Sequence, residues 1–139
     1  MSPSYQHSYV QSNLNAALHR FHDYTAFSEL SLQINEKELV PDLCVYPKRS
    51  VNFTETDVIR MTDMPVLAIE ILSPSQTVLD AQQKILTYFQ AGVRSCWLVV
   101  PPTQTVTVYY GPNQGQLYKT GDVVDSVTNM RIPLDEIFA

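Results

Sequence analysis

Seven consecutive residues, Val66 to Leu72, form the most apolar run in the sequence, and Glu70 is the only charged residue within it. A strand with one solvated face alternates apolar and polar residues, so a continuous run of this length indicates a β-strand that is covered on both faces. Ser73-Pro74-Ser75 follows and ends the run. The chain is therefore expected to build a sheet with other elements packed on both of its sides.

A helix and a second buried strand are predicted directly after this run. Thr77 can cap the helix, and Asp80 stands at the third position of a capping box. The helix is expected to reach Ala91, because Gly92 is a natural stop. Ser95 to Val100 is apolar again, and a strand–helix–strand unit of this kind joins two parallel strands through a right-handed crossover.

The remaining segments extend this unit with one more helix, two hairpins and one long loop. In chain order they are a helix over residues 5–21, hairpin strands 27–34 and 39–46, a loop over 47–64, and hairpin strands 105–110 and 116–120, followed by a short strand and a helical turn. Pro41 is expected to mark a bulge or an edge position. The sequence therefore predicts an α/β fold (α+β, with a mixed sheet) in a single domain of residues 1–139.

Composition bounds the class of protein. With 45% hydrophobic and 17% charged residues in 139 positions, the chain can form a core and is not intrinsically disordered. Its apolar runs are too short to span a membrane, and no secretory signal is visible. Cys44 and Cys96 lie in apolar stretches, so we expect buried free thiols and a cytoplasmic location. The net charge of −5 argues against a simple DNA-binding module, but less against an enzyme that binds cations.

Two carboxylates are the first candidates for a functional site. Glu70 would be buried in its strand, where an ionised carboxylate is costly unless it is paired or binds a metal. It would also lie near the carboxyl end of a parallel strand, where open α/β sheets bind ligands. The alternative is a structural salt bridge or a strand end in solvent. Asp42 would be a turn residue if taken alone, but it precedes a strand that could neighbour the Glu70 strand, and two such carboxylates suit Mg²⁺.

The predicted helix after the Glu70 strand carries further candidates. Asp80, Lys84 and Tyr88 follow one another at four-residue intervals along the flank of its apolar face, so the tip of Lys84 could reach back over the sheet. A surface pair between Asp80 and Lys84 is the alternative. Gln82 is placed nearer the centre of the apolar face, which hints at a polar partner beneath the helix.

Other residue types indicate less. The three histidines, among them His7, show neither HxH nor HExxH spacing, which favours structural or solvated roles over metal ligation. The chain has four glycines and no phosphate-cradling loop. Tyr109, Tyr110 and Tyr118 could stack on bases, although packing is the commoner role of aromatic residues in strands.

Taken in order, these residues resemble the Uma-two family of restriction-endonuclease-like proteins, which belongs to the PD-(D/E)xK nuclease superfamily. The resemblance covers residues 7–138, nearly the whole chain, and implies a restriction-endonuclease-like core. Several motifs carry it in the right order: Pro41-Asp42, Glu70-Ile71-Leu72-Ser73-Pro74-Ser75, Asp80, Lys84, Tyr88, Gly92-Val93, Trp97-Leu98-Val99 and Leu134-Asp135-Glu136-Ile137-Phe138.

The resemblance implies a metal-dependent endonuclease that hydrolyses phosphodiester bonds of nucleic acid, with DNA as the first choice. Asp42 and Glu70 would bind Mg²⁺ or Mn²⁺, together with the backbone carbonyl of Ile71. The superfamily lysine usually follows the glutamate by two residues, but that position is Leu72 here. Lys84, on the following helix, would take over its role.

The same resemblance implies supporting residues on both helices. Asp80 would position Lys84, and Gln82 would support the site from the same helix. Superfamily enzymes often supply an acidic residue from the first helix, and none occurs among the first 22 residues of this chain. Gln11 or His7 would therefore substitute for it.

Two further function classes stay open. A shortened family member that keeps the fold but has weak or no activity would act as a structural or interaction module. A dimerisation module would use the tyrosine-rich strands as an exposed apolar patch. A homodimer is also compatible with the nuclease, because cutting a duplex requires two strands to be cut. No membrane partner is expected.

Overall fold

The computed structural model describes residues 3–139, so the first two residues of the predicted 1–139 domain lie outside the described part. The helices are α1 (Tyr5–Leu18), α2 (Val78–Gln90) and α3 (Leu134–Phe138). The strands are β1 (Tyr24–Ser28), β2 (Leu32–Ile34), β3 (Lys37–Leu39), β4 (Leu43–Pro47), β5 (Leu67–Ile71), β6 (Ser95–Val100), β7 (Thr105–Gly111), β8 (Gln114–Tyr118), β9 (Asp122–Asp125) and β10 (Met130–Pro133).

Six of these strands form a mixed sheet in the order β1-β4-β5-β6-β7-β8. β5 and β6 run parallel and α2 connects them, which confirms the predicted strand–helix–strand unit. The other neighbouring pairs in this sheet are antiparallel. The predicted α/β class with a mixed sheet is therefore confirmed.

β5 is buried along its whole length because elements cover both faces of the sheet. Leu67, Ile69 and Ile71 pack into a cluster with α1, α3 and the β9–β10 pair. Ala68 belongs to a second cluster with α2 and the β2–β3 pair on the other face. Side chains alternate along a strand, so Glu70 is directed to the same face as Ala68, beneath α2.

The predicted hairpin of strands 27–34 and 39–46 forms in one antiparallel register, with Phe27 opposite Cys44 and Leu32 opposite Leu39, but it is divided into two parts. β1 pairs with β4 in the large sheet, whereas β2 pairs with β3 in a separate two-stranded sheet. Glu29 interrupts the first strand with a φ of 51°, in the left-handed region. Pro41 interrupts the second, because it has no N–H to donate to a ladder. The break at Pro41 leaves Asp42 in a bend immediately before β4.

The C-terminal hairpin is confirmed as β7–β8, and residues 122–133 add a two-stranded sheet, β9–β10, of which only the second strand is predicted. Tyr110 and Tyr118 are half-buried, and their hydroxyls donate to the carbonyl of Val124 at 3.2 Å each. These tyrosines pack against β9, so the predicted exposed tyrosine patch is wrong.

Two smaller expectations concern the cysteines and the membrane. Cys44 and Cys96 are both free and buried. Within residues 3–139, no helix is long and apolar enough to cross a membrane.

Candidate active site

A small open pocket of about 160 Å³ lies at the carboxyl end of β5. The pairing of β4 with β5 sets Leu43 opposite Ile69, and this register brings Asp42, the residue before Leu43, alongside the end of β5. Lys84 reaches the same pocket from α2, which covers one face of the sheet. The pocket is lined by Pro3, His7, Glu29, Asp42, Glu70, Ser73, Gln76 and Lys84.

Glu70 is 3% exposed, and both of its carboxylate oxygens accept bonds from α2. The Nζ of Lys84 lies 3.0 Å from Oε1, and the hydroxyl of Tyr88 donates to Oε2 at 2.7 Å. Lys84 and Tyr88 are one helical turn apart and so lie on the same face of α2. Glu70 is therefore fixed by two donors of a single helix.

Burial raises the pKa of Glu70 to about 7 because the ionised form loses its hydration. The Lys84 charge opposes this change, and the bonds from Tyr88 and Lys84 also favour the ionised form. The Asp42 carboxylate acts in the other direction and raises the pKa of Glu70 further. The charge of Asp42 therefore acts on Glu70 across the pocket.

Asp42 is held through both its side chain and its backbone. The Nε2 of His7 lies 3.1 Å from Oδ1, and the backbone N–H of Ile71 donates to Oδ2 at 2.7 Å. The carbonyl of Asp42 accepts from the Nε2 of Gln11 at 3.0 Å and from the backbone N–H of Glu29 at 3.1 Å. Since the Asp42 side chain is still 20% exposed, part of its carboxylate faces the pocket.

The start of α2 sets the position of Lys84. The side chain of Thr77 accepts from the backbone N–H of Asp80 at 3.0 Å, and the carboxylate of Asp80 accepts from the backbone N–H of Thr77 at 3.1 Å. This is the predicted capping box. Lys84 lies one turn further along, and its side chain is 27% exposed. The ammonium group can therefore contact both Glu70 and a ligand in the pocket.

Two predicted supporting residues lie elsewhere. Asp80 is exposed and its carboxylate caps α2, while Lys84 pairs with Glu70 instead. Gln82 is exposed, so the predicted polar partner beneath the helix is wrong. The buried face of α2 is centred on Ala81, Ile85 and Tyr88. Gln82 follows Ala81 by one residue and therefore points about 100° away from it around the helix. The backbone of Ile71 is at the site through its N–H bond to Asp42.

Tyr88 is not among the predicted site residues, yet it is fully buried and bonds to Glu70. Its four-residue spacing from Lys84 is the one sequence signal that could have placed Tyr88 at the site. His7 and Gln11 are expected only as substitutes for an acidic residue, and the spacing of the histidines argued against a site role for His7. Both contact Asp42, which lies more than thirty residues away in sequence from each. Local patterns do not reveal such a long-range contact.

The donor set fits a hard divalent cation. Mg²⁺ takes one or two protein carboxylates and keeps several waters, and Asp42 and Glu70 both line the open pocket. Each carboxylate oxygen has two lone pairs, so the bonds from protein donors leave acceptor capacity on each. Within residues 3–139, no three His, Cys, Asp or Glu side chains are grouped to hold a metal ion. Water and substrate would therefore supply most of the coordination.

The mixed sheet, covered by α1 and α2 and carrying two carboxylates and a lysine at the end of β5, defines a restriction-endonuclease-like protein. The chain belongs to the Uma2 family: the family model described as "Uma2: Putative restriction endonuclease" matches residues 1–135. The predicted family is thereby confirmed.

Comparison with solved structures agrees on the fold. The chain is similar to a crystal structure from Anabaena variabilis ATCC 29413 described as "a putative nuclease belonging to DUF820", with a TM-score of 0.79 and 24% sequence identity. The match covers 99% of this chain and 83% of the other. A search among curated proteins finds no match.

Proposed function

We propose that this protein is a metal-dependent endonuclease that hydrolyses phosphodiester bonds in DNA. One observation carries the proposal: Asp42, Glu70 and Lys84, from three separate segments of the chain, line the same open pocket. Membership of a nuclease family supports the reaction class.

Each of these residues has a chemical role in the proposal. Asp42 and Glu70, with the backbone carbonyl of Ile71, would hold Mg²⁺ or Mn²⁺. Such an ion, when bound, supplies Lewis-acid polarisation of the phosphate. Lys84 contacts Glu70 while its side chain is partly exposed, so its ammonium group can orient a water molecule and stabilise negative charge that develops on the phosphate.

A catalytically weak protein that acts as an interaction module is the second candidate. The observation that favours it is that each oxygen of Asp42 and Glu70 already has a donor from the protein. A structural ion-pair network would have the same contacts. The two functions differ in whether a metal binds and whether DNA is cut.

Cleavage of plasmid DNA in Mg²⁺ or Mn²⁺ tests the proposal. We expect wild-type protein to nick or linearise the plasmid, and Lys84→Met to lower the rate by about 100-fold or more, since oxyanion-type stabilisation is worth this much. Lys37→Met is the matched control, because Lys37 is exposed on β3, and it should cut at the wild-type rate. Equal rates for wild type, Lys84→Met and a mock purification would support the interaction module instead.

The proposed partner is DNA, and a homodimer would allow both strands to be cut. Of the basic residues near the sheet, Arg49 is already engaged, since its guanidinium lies 4.0 Å from the ring centre of Tyr46 and 3.3 Å from Asp63. Binding is therefore expected to depend on the metal as well as on basic side chains. The free thiols of both cysteines support a cytoplasmic location.

A further inference from the structure

We propose that His7 and Gln11 of α1 are positioning residues that fix Asp42 in the orientation needed for metal binding, a role that rests on the proposed function. The two residues are one helical turn apart and therefore lie on the same face of α1. His7 contacts the carboxylate of Asp42 and Gln11 contacts its carbonyl. We call this arrangement of His7, Gln11 and Asp42 the α1 clamp.

The α1 clamp acts on the carboxylate of Asp42, which the sheet does not fix. Asp42 lies in a bend between Pro41 and β4, and the bond that its carbonyl accepts from the N–H of Glu29 holds its backbone only. The N–H of Ile71 binds only Oδ2, and rotation about the Asp42 side chain would still be open. The contact of the Nε2 of His7 with Oδ1, at 3.1 Å, restricts that freedom. With a side chain that is 20% exposed, Asp42 would otherwise be able to turn towards solvent.

His7 acts through Asp42 and not on a ligand of its own. Nε2 lies 3.1 Å from Oδ1 of Asp42, and an ionised carboxylate oxygen only accepts hydrogen bonds, so the inferred contact uses the hydrogen of Nε2 and leaves this nitrogen without a lone pair for a metal. The other nitrogen, Nδ1, is buried and has no hydrogen-bond partner within residues 3–139. Because Nδ1 is enclosed, it can neither bind a metal in the pocket nor take a proton from a water molecule there.

The unpartnered Nδ1 also argues against a role in stability alone. A buried polar atom without a partner costs folding free energy, and an apolar side chain of similar size would not carry that cost. His7 is 6% exposed and lies on the buried face of α1, beside apolar residues. What His7 offers, and an apolar residue at this position does not, is the N–H that bonds Asp42.

Two variants and one control test the α1 clamp. His7→Leu removes the donor, whereas His7→Gln has an amide that can place an N–H near the position of Nε2. His19→Leu is the control, since His19 is exposed at the end of α1. Two quantities are measured. The first is the amide chemical shift and hydrogen-exchange rate of Ile71 by NMR in EDTA, which reports the Ile71–Asp42 bond. The second is the affinity for Mn²⁺ by calorimetry.

We expect His7→Leu to accelerate exchange at Ile71 and to weaken Mn²⁺ binding by about 10- to 100-fold, the usual effect of losing a group that orients a metal ligand. Its melting temperature should stay equal or rise. His7→Gln should restore most of both properties, and His19→Leu should change neither. Gln11→Met should show a smaller loss in the same direction.

The outcomes separate this inference from the proposed function. If wild-type protein binds Mn²⁺ and His7→Leu binds it equally well, with unchanged exchange at Ile71, the α1 clamp is wrong. A His7→Leu variant that unfolds, with no rescue by His7→Gln, would make His7 a purely structural residue and also overturn it. If wild-type protein binds no Mn²⁺, the proposed function fails, and the exchange rate at Ile71 still decides whether His7 holds Asp42.

Discussion

Among single residues, Glu70 shows most directly what the burial of a carboxylate costs and which contacts compensate for it. The strand that carries it is enclosed on both faces, so its carboxylate loses hydration and depends on Lys84 and Tyr88 for compensation. Burial raises its pKa despite these donors, and the charge of Asp42 adds to the effect. A divalent cation near both carboxylates, as proposed above, would lower this electrostatic cost.

The raised pKa of Glu70, about 7, predicts how stability depends on pH without metal. The unfolded chain releases this proton at a lower pH than the folded protein, so the folded state binds more protons between the two pKa values and loses stability as pH rises through this window. From about pH 5 to about pH 8, wild type should lose on the order of 3 kcal/mol relative to Glu70→Gln, which cannot ionise. Urea unfolding in EDTA measures the difference.

The substitution Glu36→Gln is the control for this experiment, because Glu36 is exposed in the turn between β2 and β3. It should follow the wild-type pH profile. Parallel profiles for wild type and Glu70→Gln would mean that Glu70 has an ordinary pKa in the folded protein, and the electrostatic argument for a cation at the site would be lost.

Prediction from sequence succeeds for residues whose local pattern carries the information. Glu70 interrupts an apolar run, and Lys84 follows at a helical spacing, so their proximity follows from a strand–helix unit. Gln82 shows the limit: its place on the helical wheel depends on which residues face the sheet, and Tyr88 rather than Phe89 shares the buried face with Ala81. The contacts of His7 and Gln11 depend on where α1 packs, and no local pattern contains that information.

Among the secondary-structure elements, the two-stranded sheet β9–β10 is the hardest to predict from the sequence. Its strands are four residues each, and β9 has acidic residues at both ends. One of them, Asp125, is fully buried and accepts four bonds: from Ser95 at 2.5 Å, Trp97 at 2.8 Å, and the backbone N–H groups of Val127 and Thr128 at 2.8 and 3.1 Å. A single carboxylate thus ties β9 to β6.

Asp125→Asn should therefore destabilise the fold. The amide has only one acceptor oxygen, and its NH₂ group would face donors, so about 2–3 kcal/mol of unfolding free energy should be lost, as for a buried polar group without a partner. Asp122→Asn is the matched control at the other end of β9, where the pair with Arg131 is largely exposed and worth less than about 1 kcal/mol. Chemical denaturation measures both; a loss of similar size in the two variants would refute the anchoring role of Asp125.

The breaks within elements have physical causes that the sequence shows only in part. Pro41 predicts an irregularity, and the structure places the end of one pairing and the start of another there. Glu29, in the left-handed conformation, carries no such signal, because glutamate is not a residue that favours this region. The predicted long hairpin is divided into two parts for this reason, and the N–H of Glu29 bonds to the carbonyl of Asp42 at the division.

On the scale of the whole molecule, the candidate site depends on the layering of the fold. α1 packs on one face of the sheet and α2 on the other, and each supplies two side chains, four residues apart, to one acidic residue. His7 and Gln11 hold Asp42, while Lys84 and Tyr88 hold Glu70. The β4–β5 pairing then brings the two carboxylates to the same pocket. The site is thus complete only in the folded domain.

Calorimetric titration of Mn²⁺ into the wild-type protein, Asp42→Asn and Glu70→Gln tests the central claim most directly, because it requires no knowledge of the substrate. Both substitutions keep the size of the side chain and remove its charge. We expect saturable binding to wild type and loss of binding in both variants, each of which should still unfold cooperatively. Absence of binding to the wild type, or equal affinity in all three proteins, would contradict the assignment of Asp42 and Glu70 as a metal site.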